Sequence, residues 1–382
     1  MDLSVLVVKP ELKGEFSDEL DSCINQLKAK DLKGRVISTT VFLNALNNQE
    51  YNACKALVSG LIESKLDHFS SVNYICQPPA NGDRIAIELH LLNDQDVELE
   101  SVSFSGLSYV RSHSSGILKG VFVSGIHYSY QDGIEEAYES AYSIMASILE
   151  KEGLSFNNIV RQWNYIEQIL QLVNVEDVSR QNYQVFNDVR SKYYGRVEFN
   201  HGYPAATGIG CIAGGVTLSF YALPESIDFN ILPVDNPYQE PAFSYPDKVL
   251  VGVSLAEFMT KTTPKFVRAK HIETPAGHLT FISGTAAIRK EKSVALDSVQ
   301  KQLRITFENI EALITKENLG QSGVEEAQQE KIAYYRGYVK GTTRIEEIEK
   351  ECEALLPGVP YLMLVSDICR NDLLIEIEAY SF

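Results

Sequence analysis

Glu376 and Glu378 stand two apart in Leu374-Ile-Glu-Ile-Glu-Ala-Tyr380, and on a strand residues two apart share a face. A carboxyl whose surroundings keep it protonated near neutral pH is a general acid. The plain alternative is a pair of exposed glutamates on a half-solvated strand. Arg161 lies in a strand that also holds Val160, Trp163 and Tyr165, so it either faces a pocket or marks a strand edge in water. Arg370, at the start of the closing strand, either holds a carboxylate or pairs with Asp367 or Asp372, and Arg268 either joins it or faces solvent. A guanidinium fork fits a carboxylate at two points. Tyr203 and Thr207, in Tyr203-Pro-Ala-Ala-Thr-Gly-Ile-Gly210, offer hydroxyl groups beside backbone that a ligand can approach closely. That turn is equally a tight corner, and without a following Lys-Ser/Thr it is no phosphate loop. Trp163 reads as core packing, His201 as a surface histidine, and Cys369 as a small buried thiol without a histidine partner motif.

Composition narrows the chemistry further. The 382 residues carry 34 Lys and Arg against 51 Asp and Glu, a formal charge of −17. Nucleic acid and anionic membrane surfaces both require positive patches, so neither is expected as a partner. An anionic substrate would need a local cluster of arginines. The six cysteines contain no CxxC pair, and the seven histidines show neither HExxH nor HxH. No metal site and no disulfide framework are expected. The first residues resemble neither a signal nor a transit peptide, and no stretch approaches about 18 apolar residues. The expectation is a cytoplasmic protein.

The positioning elements recur along the chain. Val121-Phe-Val-Ser-Gly125 and Thr280-Phe-Ile-Ser-Gly284 are apolar strands ending in Ser-Gly. Each precedes an amphipathic helix, with apolar residues at Ile134, Ala141, Met145 and Ile148 or at Val299, Leu303, Phe307, Ile310 and Ile314. A strand, a second helix and two closing strands follow in both. Residues 35–92 repeat the later part of this order, with only 4–9 as a remnant of the leading strand, while 93–111 and 223–248 read as connectors. The closing strands align Glu376 and Glu378 with Thr217 and Ser219 and with Ala86 and Glu88. A glutamate at the first of these positions occurs in the last copy alone. Unequal copies imply one working site per chain, with Glu376 as its acid.

The order from the Ser-Gly strand to Leu374-Ile-Glu-Ile-Glu-Ala379 resembles the RidA/YjgF family. More specifically, Gln77-Pro-Pro79, Arg161-Gln-Trp-Asn-Tyr-Ile166, Tyr203–Gly210, Ser283-Gly-Thr-Ala-Ala-Ile288 and Cys369–Glu378 resemble the chorismatase family. The resemblance implies an α/β (α+β) fold, a single-chain pseudo-trimer of RidA/YjgF-like (chorismate-mutase-like) units. These units are expected at 1–110 (truncated and degenerate), 111–235 and 236–382. It implies that chorismate is converted to pyruvate and a hydroxybenzoate by protonation of the enolpyruvyl group, without a cofactor, in a monomer. Glu376 would be catalytic, with Arg161, Tyr203, Thr207, Arg268, Gly284, Cys369 and Arg370 at the substrate. Gly284 and Cys369 match the aromatising subtype, which implies 3-hydroxybenzoate with 4-hydroxybenzoate as an accompanying product; the hydrolytic subtype, giving a dihydroxycyclohexadiene carboxylate, has alanine in the glycine's place. The alternatives are that hydrolytic chorismatase, an imine or enamine deaminase, and a non-catalytic sensor. Deamination normally places an arginine in a YPTRS-like turn, and neither YPAATGIG nor VPYLMLVS contains one.

Overall fold

Three stretches of the chain form β-sheets that share one order of four strands. In the first, β1 (Leu3–Val8), α1 (Phe16–Ala29), β2 (Arg35–Leu43), α2 (Asn48–Lys65), β3 (Val72–Ile75) and β4 (Ile85–Leu92) give a sheet ordered β1-β4-β2-β3. The second contains β5 (Glu98–Phe104), β6 (Leu107–Ser114), β7 (Ile117–Tyr128), α3 (Ile134–Lys151) and β8 (Ile159–Glu167). It continues through a ribbon of β9 (Leu172–Val175) and β10 (Val178–Gln181) to α4 (Asn182–Tyr194), β11 (Ala205–Cys211) and β12 (Val216–Ala222). Its sheet runs β11-β8-β12-β7-β6-β5. The third comprises β13 (Asn230–Val234), β14 (Ala269–Thr274), β15 (Gly277–Ala286), a ribbon of β16 (Ile288–Arg289) and β17 (Lys292–Ser293), α5 (Val299–Leu313), α6 (Lys316–Gln321), β18 (Ile332–Val339), α7 (Ile345–Leu355), β19 (Tyr361–Val365) and β20 (Ile375–Ser381). Its sheet runs β13-β14-β15-β20-β18-β19. The structure is a computed structural model and describes residues 2–65, 71–175, 178–251, 260–275, 277–342 and 344–382.

The repeated order follows from local chemistry. In each unit one helix, α2, α4 or α7, bridges two parallel strands, as a parallel pair requires a crossover. The first helix of each unit buries one face on its sheet: Leu20, Cys23, Ile24 and Leu27 in α1, Ala141, Met145 and Ile148 in α3, Leu303, Phe307 and Ile310 in α5. Ser298 caps α5 by accepting the Lys301 N–H. Each helical layer thus has its own apolar core, and the opposite sheet faces meet in a fourth, which joins Phe42, Trp163, Tyr165, Tyr221, Tyr338 and Tyr380 from all three units. Strands covered on both faces are buried along their length, as β8 and β20 are.

Two expectations need correction. The first unit is not missing its leading strand and helix, because β1 and α1 occupy those places. The other two sheets carry two further strands beside the leading one, β6 and β5 or β14 and β13. Those strands come partly from the supposed connectors: 93–111 holds β5 and the start of β6, and 223–248 holds β13. A boundary after residue 110 therefore falls inside β6, and one after 235 separates β13 from its partner β14. The closing-strand alignment agrees with the register: Glu88 lies opposite Thr40, Ser219 opposite Trp163 and Glu378 opposite Arg336.

The two Ser-Gly strands make different demands. Gly125 has φ +81°, and a Cβ there would lie 2.4 Å from the Val72 carbonyl oxygen across the interface between the first and second units. Gly125→Ala is expected to lower the unfolding free energy by at least about 2 kcal/mol, since a left-handed non-glycine residue is strained and the opposing atom is backbone. Urea denaturation of the variant beside wild type measures this.

Candidate functional site

A buried charge network occupies the centre. Glu378 accepts from Arg161 Nη2 at 2.7 Å and Trp163 Nε1 at 2.9 Å, and lies 3.0 Å from Arg336 Nη1. Arg336 also donates to Glu88, which is bonded as well to His90 and to the Tyr334 hydroxyl. Burial opposes ionisation of Glu378, but Arg336 and Arg161, with Thr207 and Trp163, bring its pKa below the ordinary carboxyl value. Burial likewise opposes ionisation of Glu88, and Arg336 and His90 overcome it.

Glu376, two residues along the same strand, has a different environment. It is 5% exposed and has no hydrogen bond or ion pair among the described residues. Burial first, and then the charge of Glu378, push its carboxyl up to about 8; Arg268 and Arg161 pull the other way without cancelling this. Glu376 is thus mostly protonated at neutral pH. Space for its carboxyl comes from Gly284 on β15, where a Cβ would lie 2.1 Å from Glu376 Oε1 and 3.2 Å from Thr207 Cγ2.

Glu376 faces a cleft between the second and third units, about 750 Å³ with its open mouth included. The second unit supplies α4 and β11, and the third supplies β15, β20 and the loop before β20. Arg268 and Arg370 reach this cleft without a carboxylate partner among the described residues. Arg268 Nη2 donates to the Glu240 carbonyl (2.7 Å) and the Tyr245 hydroxyl (2.6 Å). Arg370 Nη1 donates to the Glu291 carbonyl at 2.9 Å, and its guanidinium lies 5.1 Å from the centre of the Tyr245 ring. The carboxylates that offered Arg370 a plain ion pair are engaged elsewhere: Asp367 lies 3.7 Å from Lys340, and Asp372 accepts from Ser293.

Of the residues singled out in the sequence, the cleft brings together Glu376, Gly284, Arg268, Cys369 and Arg370. Arg161 and Thr207 stand behind it. The Thr207 hydroxyl accepts from Arg161 Nη2 (2.7 Å) and the Gly284 N–H (3.1 Å), so it is committed to the central network. Tyr203 is elsewhere, in an aromatic group with Tyr194, Phe199 and Phe243. Burial and the nearby Glu376 push the Cys369 thiol up to about 12, so it remains a thiol. Sequence reading missed Tyr183, Gln184 and Asn187 on α4, together with Tyr245 and Phe266. No spacing within one unit reveals that α4 lies across the interface, and Tyr245 and Phe266 lie in the long segment between β13 and β14. No group of three or more His, Cys, Asp or Glu among the described residues could hold a metal ion, and no described helix is long and apolar enough to cross a membrane.

Residues 110–223 match the family described as Chorismatase FkbO/Hyg5-like, N-terminal. A 3-hydroxybenzoate synthase of Streptomyces hygroscopicus is 30% identical over 257 residues, covering 64% of this chain and 68% of the relative. A chorismatase of the same species is 27% identical over 289 residues, covering 73% and 75%. A crystal structure of a chorismatase superposes over 100% of this chain and 98% of its own with a TM-score of 0.73 at 19% identity. The architecture is accordingly a single chain of three related α/β units, as expected. By this sequence relationship, and with the fold in agreement, the chain belongs to the chorismatase family.

Proposed function

We propose that the chain cleaves the enolpyruvyl ether of chorismate and releases pyruvate and a hydroxybenzoate, 3-hydroxybenzoate being the principal one. The observation that carries this reading is a buried carboxyl, Glu376, with no hydrogen-bond partner, in a cleft with two arginines that have no carboxylate partner among the described residues. Chorismate has two carboxylates, and each matches a guanidinium. Glu376 gives its proton to the terminal vinyl carbon, and the carbon attached to the ether oxygen becomes an oxocarbenium. Capture of this cation by water would lead to pyruvate and a dihydrodiol acid. Capture within the substrate, followed by loss of pyruvate, aromatises the ring. Chorismate equals pyruvate plus hydroxybenzoate atom for atom, so this second route needs no net water and returns the proton to Glu376.

Gly284 supports the aromatising route. A methyl group at this position would collide with Glu376 Oε1, so the glycine sets where the proton donor lies relative to the vinyl carbon. Cys369 lines the same cleft as a neutral thiol, and its half-buried side chain fills space near the acid.

Incubation with chorismate, following pyruvate and aromatic product together, tests the reading; lack of consumption would favour a non-catalytic binding role. Glu376→Gln should reduce kcat by at least about 10²-fold while substrate binding is largely kept; wild-type turnover would refute the assignment. The acid must be protonated, so activity should persist below the Glu376 pKa of about 8 and fall about tenfold per pH unit above it, read from a pH profile of kcat/KM. Gly284→Ala should slow turnover and shift the product towards the dihydrodiol, as measured by chromatography of the reaction mixture. A wild type that yields only the dihydrodiol would overturn the product assignment and leave ether cleavage intact.

A further inference from the structure

The mechanism needs Glu376 to keep its proton although cations lie close by. Arg161 is fully buried, and its Nε and Nη1 have no hydrogen-bond partner among the described residues. A carboxyl within its influence would normally ionise and pair with it. Nevertheless Arg161 is turned to Glu378, with its Nη2 shared between Glu378 Oε2 and Thr207 Oγ1 at 2.7 Å each. Glu378 cannot move to release it, because Trp163 Nε1 and Arg336 Nη1 hold its other oxygen at 2.9 and 3.0 Å.

We propose that Glu378 is a positioning residue for the acid step: it occupies Arg161 and places a fixed negative charge on the strand face it shares with Glu376, so that Glu376 retains the proton it donates. The proposal rests on the reading of Glu376 as the acid. Burial is the first cause of its state, and the cations around Glu376 oppose it. Arg268, ahead of β14, favours ionisation, and Arg370 enters the same cleft as a second cation. Cys369 from the loop before β20 and Tyr183 from α4 are neutral, with their own pKa values raised by burial. Tyr338, opposite Glu376 on β18, accepts a hydrogen bond from Arg336 at 3.1 Å. Among the charged groups described around Glu376, Glu378 is the one that disfavours its anion, and the electrostatic balance at Glu376 agrees in sign.

The test measures the proton directly, without chorismate. Isotope-edited infrared spectra of protein with carbon-13-labelled glutamate follow the protonated carboxyl band during a pH titration, with the Glu376 band identified by its loss in Glu376→Gln. In Glu378→Gln the Glu376 midpoint should fall by about one pH unit or more, and the alkaline limb of kcat/KM should move with it. An unchanged or higher midpoint in the folded variant overturns the proposal. If that variant does not fold, Arg161→Met is compared with Arg161→Met/Glu378→Gln, which leaves the Glu88–Arg336 pair intact. The midpoint should be lower in the double variant, and equal midpoints overturn the proposal. A wild type that does not consume chorismate would reject the proposed function, while the infrared midpoints would still decide the role of Glu378.

Discussion

Two carboxylates and two guanidiniums, Glu88, Arg336, Glu378 and Arg161, share the centre where the three sheets meet. All four are essentially inaccessible to water. Buried ion pairs are poor sources of net stability because desolvation offsets most of the attraction, but removing one member of such a set is strongly destabilising. Their main effect here is on register. Glu88 comes from the first sheet, Arg336 and Glu378 from the third, and Arg161 from the second. Sliding any of these strands by one residue would turn its charged side chain into an apolar helix layer and leave an opposite charge unpaired. The network therefore aligns the strands of three units at once, and the cleft at one of their interfaces inherits that alignment.

The same interior gives three related positions three different chemistries. Glu376, Thr217 and Ala86 occupy matching places on β20, β12 and β4. Ala86 has nothing to donate. Thr217 meets His127 at 3.2 Å, and burial together with Lys55 brings that imidazole down to about 4, so the pair is neutral. At the matching interface of the first and second units, the Val72 carbonyl oxygen fills the space above Gly125, where the third unit leaves room for a carboxyl above Gly284. One interface is open and acidic, and its counterpart is closed by backbone. A homotrimer would have to repeat every substitution three times; a single chain can specialise one copy.

Much of this was legible in the sequence because it is local. The apolar spacing of α3 and α5 and the alternation in β20 are properties of consecutive residues, and the alignment of the closing strands located Glu376. The leading strand of the first unit, Leu3–Val8, lacks the Ser-Gly marker that identifies the other two, so sequence pattern alone hides it. The apolar face of α1, at Leu20, Cys23, Ile24 and Leu27, carries the expected helical spacing and could have identified that helix by itself. Tyr203 was placed at the substrate because a hydroxyl precedes a glycine-rich turn, but the ring is drawn into contact with Tyr194, Phe199 and Phe243. Tyr183 was invisible for the opposite reason, since its position depends on how separate units dock, and Tyr245 because it meets Arg370 from far away in sequence. The Glu376–Glu378 pair was correctly put on one face; that one would be ionised and the other neutral depends on Arg161 and Arg336, which lie far away in sequence.

Tyr245 has a consequence for how a ligand is held and let go. Its hydroxyl receives Arg268, and its ring lies beside Arg370, so one phenol fixes the separation of the two guanidiniums. A molecule with two carboxylates that spans them is gripped as by a chelate, the second contact forming at high effective concentration once the first is made. Breaking the bond that joins those carboxylates divides the ligand into two monoanions, each with a single point of attachment. In the proposed reaction the grip would then be lost without any movement of the protein, and the bond cleavage would itself loosen the products.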